Sequence, residues 1–125
     1  MRRVKYLAII YGNAEKWASF PPEELARIVA IHDAWNAKYT ESGELITAFG
    51  LGDETTAKTV TVRDGVPVAT DGPYLEAKEY IGSAYVLSVA SAERAYEMIA
   101  ELPSAQNEGI EIWPILHGDP GGAAA

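Results

Sequence analysis

Side chains able to move a proton or attack an electrophile are few in this sequence. There are two histidines, His32 and His117, and no cysteine. The lack of cysteine removes thiolate zinc sites, iron–sulfur clusters, disulfides and thiol nucleophiles in one step. Nucleophile-elbow, phosphate-loop, His-Glu-x-x-His and dinucleotide-glycine patterns are also missing. Gly50-Leu51-Gly52 is followed by no helix pattern, so phosphate cradling there has little support. The two histidines lie far apart without carboxylates at ligand spacing, so no metal is expected.

His32 falls inside an apolar stripe with Leu25, Ile28, Val29, Trp35 and Tyr39. A histidine there is either a core residue satisfied by a carbonyl or a group facing a cavity between helix and sheet. In the second case an ordinary pKa near 6.5 suits it to general acid–base work. Asp71 opens Asp71-Gly72-Pro73-Tyr74. Plain turn chemistry accounts for such a run. The alternative aims the carboxylate into the same cleft, where it would fix the imidazole tautomer and stabilise its charged form. Tyr11, Trp17, Trp35, Tyr74, Tyr80 and Tyr85 could wall an apolar pocket with polar tips, or fill core and interface. Tyr74 is the preferred wall because it rides on the Asp71 turn. His117 belongs to the surface.

The elements that must position these groups follow from pattern. Val4 to Tyr11 is a β-branched and aromatic run ended by Gly12-Asn13, a buried strand. A short loop or turn carries Trp17 and Phe20. Pro21-Pro22-Glu23-Glu24 starts a helix, and Gly43 is its expected left-handed cap. Leu45 to Leu51 is a second strand. Thr56 to Arg63 and Val66 to Thr70 flank Asp64-Gly65, a strong hairpin signal. Ile81 to Val89 is a strand, and Ser91 caps a helix through Leu102 that buries Ala92, Ala95, Tyr96, Ile99 and Leu102. Pro103 stops it, and Ile110 to Ile115 is the last strand. The order β-α-β, hairpin, β-α-β predicts an α+β ferredoxin-like sandwich, an antiparallel sheet with two helices on one face. Apolar residues on both faces of the strands call for a homodimer with stacked sheets.

With 125 residues, 48% hydrophobic and 22% charged, the chain has the length and composition of one globular domain. Residues 1–117 form that domain, and 118–125 a flexible glycine-rich tail. Eighteen acidic against ten basic residues give −8 at pH 7, which disfavours direct binding to nucleic acid or anionic membrane. The first strand lacks the features of a signal peptide, and no window spans a membrane, so a cytoplasmic protein is expected.

The run Thr70-Asp71-Gly72-Pro73-Tyr74-Leu75-Glu76-Ala77-Lys78-Glu79 resembles the signature of the DGPF-domain proteins of the YCII-related superfamily. Lys5-Tyr6-Leu7, Ile10-Tyr11-Gly12, Pro22-Glu23-Glu24, His32, the hairpin from Thr59 to Gly65, and Gly82 with Tyr85 carry the same resemblance, from about Lys5 to Leu116. Tyr74 stands where the motif has phenylalanine, and Pro21 where a serine cap is usual. The resemblance implies a ferredoxin-like fold of the dimeric α/β-barrel type. It also implies a histidine–aspartate site, carried onto His32 and Asp71, with dehalogenases and muconolactone isomerases as branch analogues. Occurrence of such proteins beside extracytoplasmic-function sigma factors implies the alternative of a non-catalytic ligand-sensing or regulatory module.

The resulting expectation is a small-molecule enzyme of lyase, isomerase or dehalogenase type needing no cofactor. His32 would shuttle a proton on an unsaturated or carbonyl-bearing organic acid, oriented by Asp71. Tyr11, Trp35 and Tyr74 would shape the walls, and Arg63 or Lys78 would pair with the substrate carboxylate.

Overall fold

The computed structural model describes residues 2–73 and 79–117. Its strands are β1 (Val4–Gly12), β2 (Leu45–Gly50), β3 (Lys58–Arg63), β4 (Val66–Asp71), β5 (Tyr80–Val89) and β6 (Glu111–Pro114). The helices are α1 (Ala14–Ala18), α2 (Pro22–Ser42), α3 (Ala92–Ile99) and α4 (Pro103–Asn107). Four strands form an antiparallel sheet in the order β2-β5-β1-β6, and β3 and β4 form a separate two-stranded hairpin. The helix α2 joins β1 to β2 with β5 lying between those strands, and α3 and α4 join β5 to β6 with β1 between them. This α+β arrangement of two split β-α-β units is compatible with the ferredoxin-like sandwich.

Local chemistry explains the elements. Pro22 occupies the first turn of α2, Glu23 and Glu24 sit at the positive end of its dipole, and Gly43 closes it at φ 82°. The Ser91 side chain accepts a hydrogen bond from the Arg94 amide at 3.2 Å and so caps α3. Asp64 and Gly65 both take positive φ, 50° and 77°, as the tight hairpin turn between β3 and β4 requires.

Alternation gives the sheet two unlike faces. Ala8, Ile10, Tyr85, Leu87 and Val89 pack with Trp35 and Tyr39 of α2 and Ala95, Met98 and Ile99 of α3 into one core. Both helices therefore cover the same face. On the other face, cross-strand pairing lines up Phe49, Ala84, Ile9 and Glu111 in one row and Thr47, Val86, Leu7 and Trp113 in the next. Trp113 and Phe49 in these rows remain 56% and 46% exposed.

Several expectations need correction. The segment carrying Trp17 is the short helix α1 rather than a loop, because the Asn13 side chain accepts from the Lys16 amide at 2.7 Å and caps it. The helix after Ser91 ends at Ile99, and Pro103 starts a further helix instead of merely stopping the first. Tyr96, expected inside, is exposed, while Met98 is fully buried. Leu25 and Val29 are exposed, so α2 rests on the sheet through its C-terminal half. The tail at 118–125 lies outside the described residues. Among the described residues no helix is long and apolar enough to cross a membrane.

Candidate functional site

His32 is half-buried on the sheet-facing side of α2, and its Nδ1 lies 2.6 Å from the Tyr85 hydroxyl on β5. The two rings lie nearly parallel, with centroids 6.2 Å apart. Tyr85 is held in turn by Trp35, whose ring meets it edge-on at 5.0 Å. Trp35 is fixed by donating its indole N–H to the Met98 carbonyl at 2.8 Å and by an edge contact with Tyr39. Core packing thus sets the phenol, and the phenol sets the imidazole. The Ser83 hydroxyl is hydrogen-bonded to the same phenol.

Burial lowers the His32 pKa below the ordinary histidine value, and the nearby Asp33 carboxylate offsets part of that shift. Burial also pushes the Tyr85 phenol up to about 12, so it keeps its proton at neutral pH. A protonated phenol can donate to a neutral imidazole or accept from it, so this contact serves either tautomer. When Nδ1 carries the proton and donates to Tyr85, the other ring nitrogen is an acceptor.

Two cavities meet at Trp17. A small one of about 80 Å³ is lined by His32, Ser83, Ile10, Ile28, Trp17 and Phe20, among others. At its edge Lys16 pairs with Glu108 at 2.7 Å. A second cavity of about 710 Å³ lies by the ends of β1 and β2, walled by Trp17, Leu51, Tyr80 and Ile81, with Asp53 and Glu54 on its lining. Two glycines make room for the shared indole. A Cβ on Gly12 would come within 2.8 Å of the Trp17 ring, and one on Gly82 within 3.5 Å. The Glu54 carboxylate accepts the Ala14 amide of α1 at 3.2 and 3.3 Å, which ties the helix bearing Trp17 to the far side of the large cavity.

The expected site residues divide. His32 lines the small cavity, and its ring partner is Tyr85 and not Asp71. The Asp71 side chain is 87% exposed and pairs with Lys58, its cross-strand neighbour on the hairpin. The hairpin forms its own sheet, which carries this carboxylate away on a separate element. Arg63 is exposed at the turn end of β3, and neither cavity lining includes it. Trp35 is a core residue that supports Tyr85 rather than a pocket wall. Tyr11 projects from the sheet face opposite Ile10 and donates its hydroxyl to Glu111 at 3.1 Å, so it does not face His32. Tyr74 and Lys78 lie outside the described residues. Among the described residues no three side chains of His, Asp or Glu gather as metal ligands.

Ser83 and the Asp53–Glu54 pair, on the linings of the two cavities, are what sequence reasoning left out as a site, and Tyr85, named there only as a pocket wall, stands as the ring partner of His32. The signal for Tyr85 was its two-residue spacing from Leu87 and Val89, which puts its polar tip on the helix-facing side of the strand. For Trp17 the signal was Gly12 and Gly82, two strand positions with no side chain to occupy the space above them.

The chain belongs to the YCII-related domain family, whose family model matches residues 4–117. The chain is also 27% identical over 118 residues to an uncharacterized protein of Rhizobium meliloti (strain 1021), covering 93% of this chain and 95% of that protein.

Proposed function

We propose that this protein is a small-molecule enzyme that moves a proton with its own side chains, His32 acting as the base and Tyr85 standing where Asp71 was expected. The observation that carries the reading is the 2.6 Å contact between His32 Nδ1 and the Tyr85 hydroxyl in the wall of a cavity that shares Trp17 with a ligand-sized one. With Nδ1–H donated to Tyr85, Nε2 takes a proton from a ligand carbon made acidic by an adjacent carbonyl. The imidazolium then returns that proton at another position, so the ligand isomerises with no net change in protons. Burial keeps the base neutral and ready at pH 7, and the phenol orients it without competing for the proton.

The test is solvent exchange. In D₂O the protein is expected to accelerate deuterium incorporation at the α-carbon of a simple aryl ketone such as α-tetralone. His32→Gln should lose that acceleration by about 100-fold or more, the usual scale of a positioned base. Tyr85→Phe should lose less. Exchange that is no faster with the wild type than with His32→Gln overturns the reading.

We also propose that the chain works as a homodimer of the dimeric α/β-barrel type, sheet against sheet. Its support is the apolar sheet face left uncovered by the helices.

A further inference from the structure

The larger cavity bears on what kind of molecule the protein takes. At about 710 Å³ it falls within the range that holds a drug-sized ligand. Its walls at Trp17, Leu51 and Ile81 are apolar, and the Trp17 indole occupies the space above Gly12 and Gly82. Among the described residues that line it, the side chains charged at neutral pH are Asp53 and Glu54. The Asp53 carboxylate accepts the Thr55 amide and hydroxyl, each at 2.9 Å, and these bonds hold its pKa below the usual value. Among the described residues the nearby cations, Lys16 and Lys58, are committed elsewhere. Lys16 pairs with Glu108, and Lys58 with Asp71. A ligand carboxylate placed here would lose water beside two like charges in a chain of net charge −8.

We infer that the large cavity holds the body of an aromatic or otherwise apolar ligand that carries no negative charge, with Trp17 as its stacking surface and Asp53 and Glu54 as the groups that exclude anions. The inference rests on the small-molecule reading above and narrows it, because it replaces the organic acid expected from the sequence by a neutral or cationic molecule.

Three probes of nearly one shape decide it: naphthylethylamine, naphthylethanol and naphthylacetate. Binding is followed by the chemical shift of the Trp17 indole N–H in the full chain. The amine and the alcohol should bind at least 10-fold more tightly than the acid at low salt. In Asp53→Asn/Glu54→Gln, which keeps an acceptor for the Thr55 and Ala14 amides, the acid should come within about 3-fold of the alcohol. An acid that binds the wild type as well as the alcohol overturns the inference, and so does a double variant that still rejects it. If no probe moves the Trp17 signal, the cavity assignment falls. Should ketone exchange still depend on His32 in that case, the proton-transfer reading stands alone. Conversely, probes that bind in the expected order without any His32-dependent exchange leave the site and remove the enzyme.

Discussion

His32 is held neutral by burial, and that has a consequence for stability whose sign follows from linkage. Its folded pKa lies below the unfolded value of about 6.5, so between the two values the unfolded chain binds more protons. The contribution of His32 is therefore flat above about pH 6.5 and turns against folding as pH falls from there through the folded value. Urea midpoints measured from pH 7.5 down to 5 should fall more steeply for the wild type than for His32→Gln, and equal slopes would refute burial as the cause. The glycines under Trp17 make a second, paired prediction. Gly12→Ala places a methyl 2.8 Å from the indole, which must shift, at a cost of about 1–3 kcal/mol. Gly82→Ala meets its neighbours at 3.5 Å, ordinary contact, and should change stability by less than about 1 kcal/mol. Thermal unfolding of both variants checks the contrast. His32 was legible from sequence because a single polar residue interrupts a helical stripe. Its partner was not, since 53 positions separate His32 from Tyr85 and the pairing depends on how α2 lies across β5.

At the level of elements, the two longer helices start differently. The Ser91 side chain caps α3, whereas α2 begins at Pro21 with no side-chain cap. Ser91→Ala should cost about 1 kcal/mol in urea denaturation. Pro21→Ser should gain less than that, because the new cap is offset by the freedom the unfolded chain regains on losing a proline. A Pro21→Ser variant clearly less stable than wild type would show that the proline's rigidity outweighs the missing cap. Strands, long helix and hairpin were legible because each has local punctuation: Gly12-Asn13, Pro22 with Gly43, and Asp64-Gly65. The short helices were less so. Five residues give too little periodicity for α1 to stand out, and a proline reads equally as the end of one helix or the first turn of the next. The hairpin's destination was also hidden, because alternation in β3 and β4 reports pairing with each other and not which sheet they join. That ambiguity is why Asp71 could be expected in the cleft.

For the molecule as a whole, the uncovered sheet face and the hairpin pose one problem. A two-stranded hairpin is marginal alone in water, yet β3 and β4 present Val60 and Val62 on one side and Val66 on the other, each more than half exposed. The sheet face carries Phe49, Trp113 and Ile81, exposed by 46%, 56% and 41%. In the proposed homodimer a second copy would offer both surfaces a matching apolar partner. Each copy carries −8, so long-range electrostatics oppose association while apolar contact drives it. Two consequences follow in sedimentation equilibrium. Raising salt from about 0.01 to 0.15 M shortens the screening length from about 30 to 8 Å, so the dimer should tighten. Phe49→Lys and Val62→Lys each make the chain less negative, which by charge alone would favour the dimer. Both should nevertheless weaken it, because they remove apolar area and desolvate an ammonium at the contact. Weakening against the direction of net charge would locate the interface on this face and hairpin. A wild-type monomer at 100 μM at every salt concentration would refute the dimer, and Lys variants that associate more tightly would move the interface elsewhere.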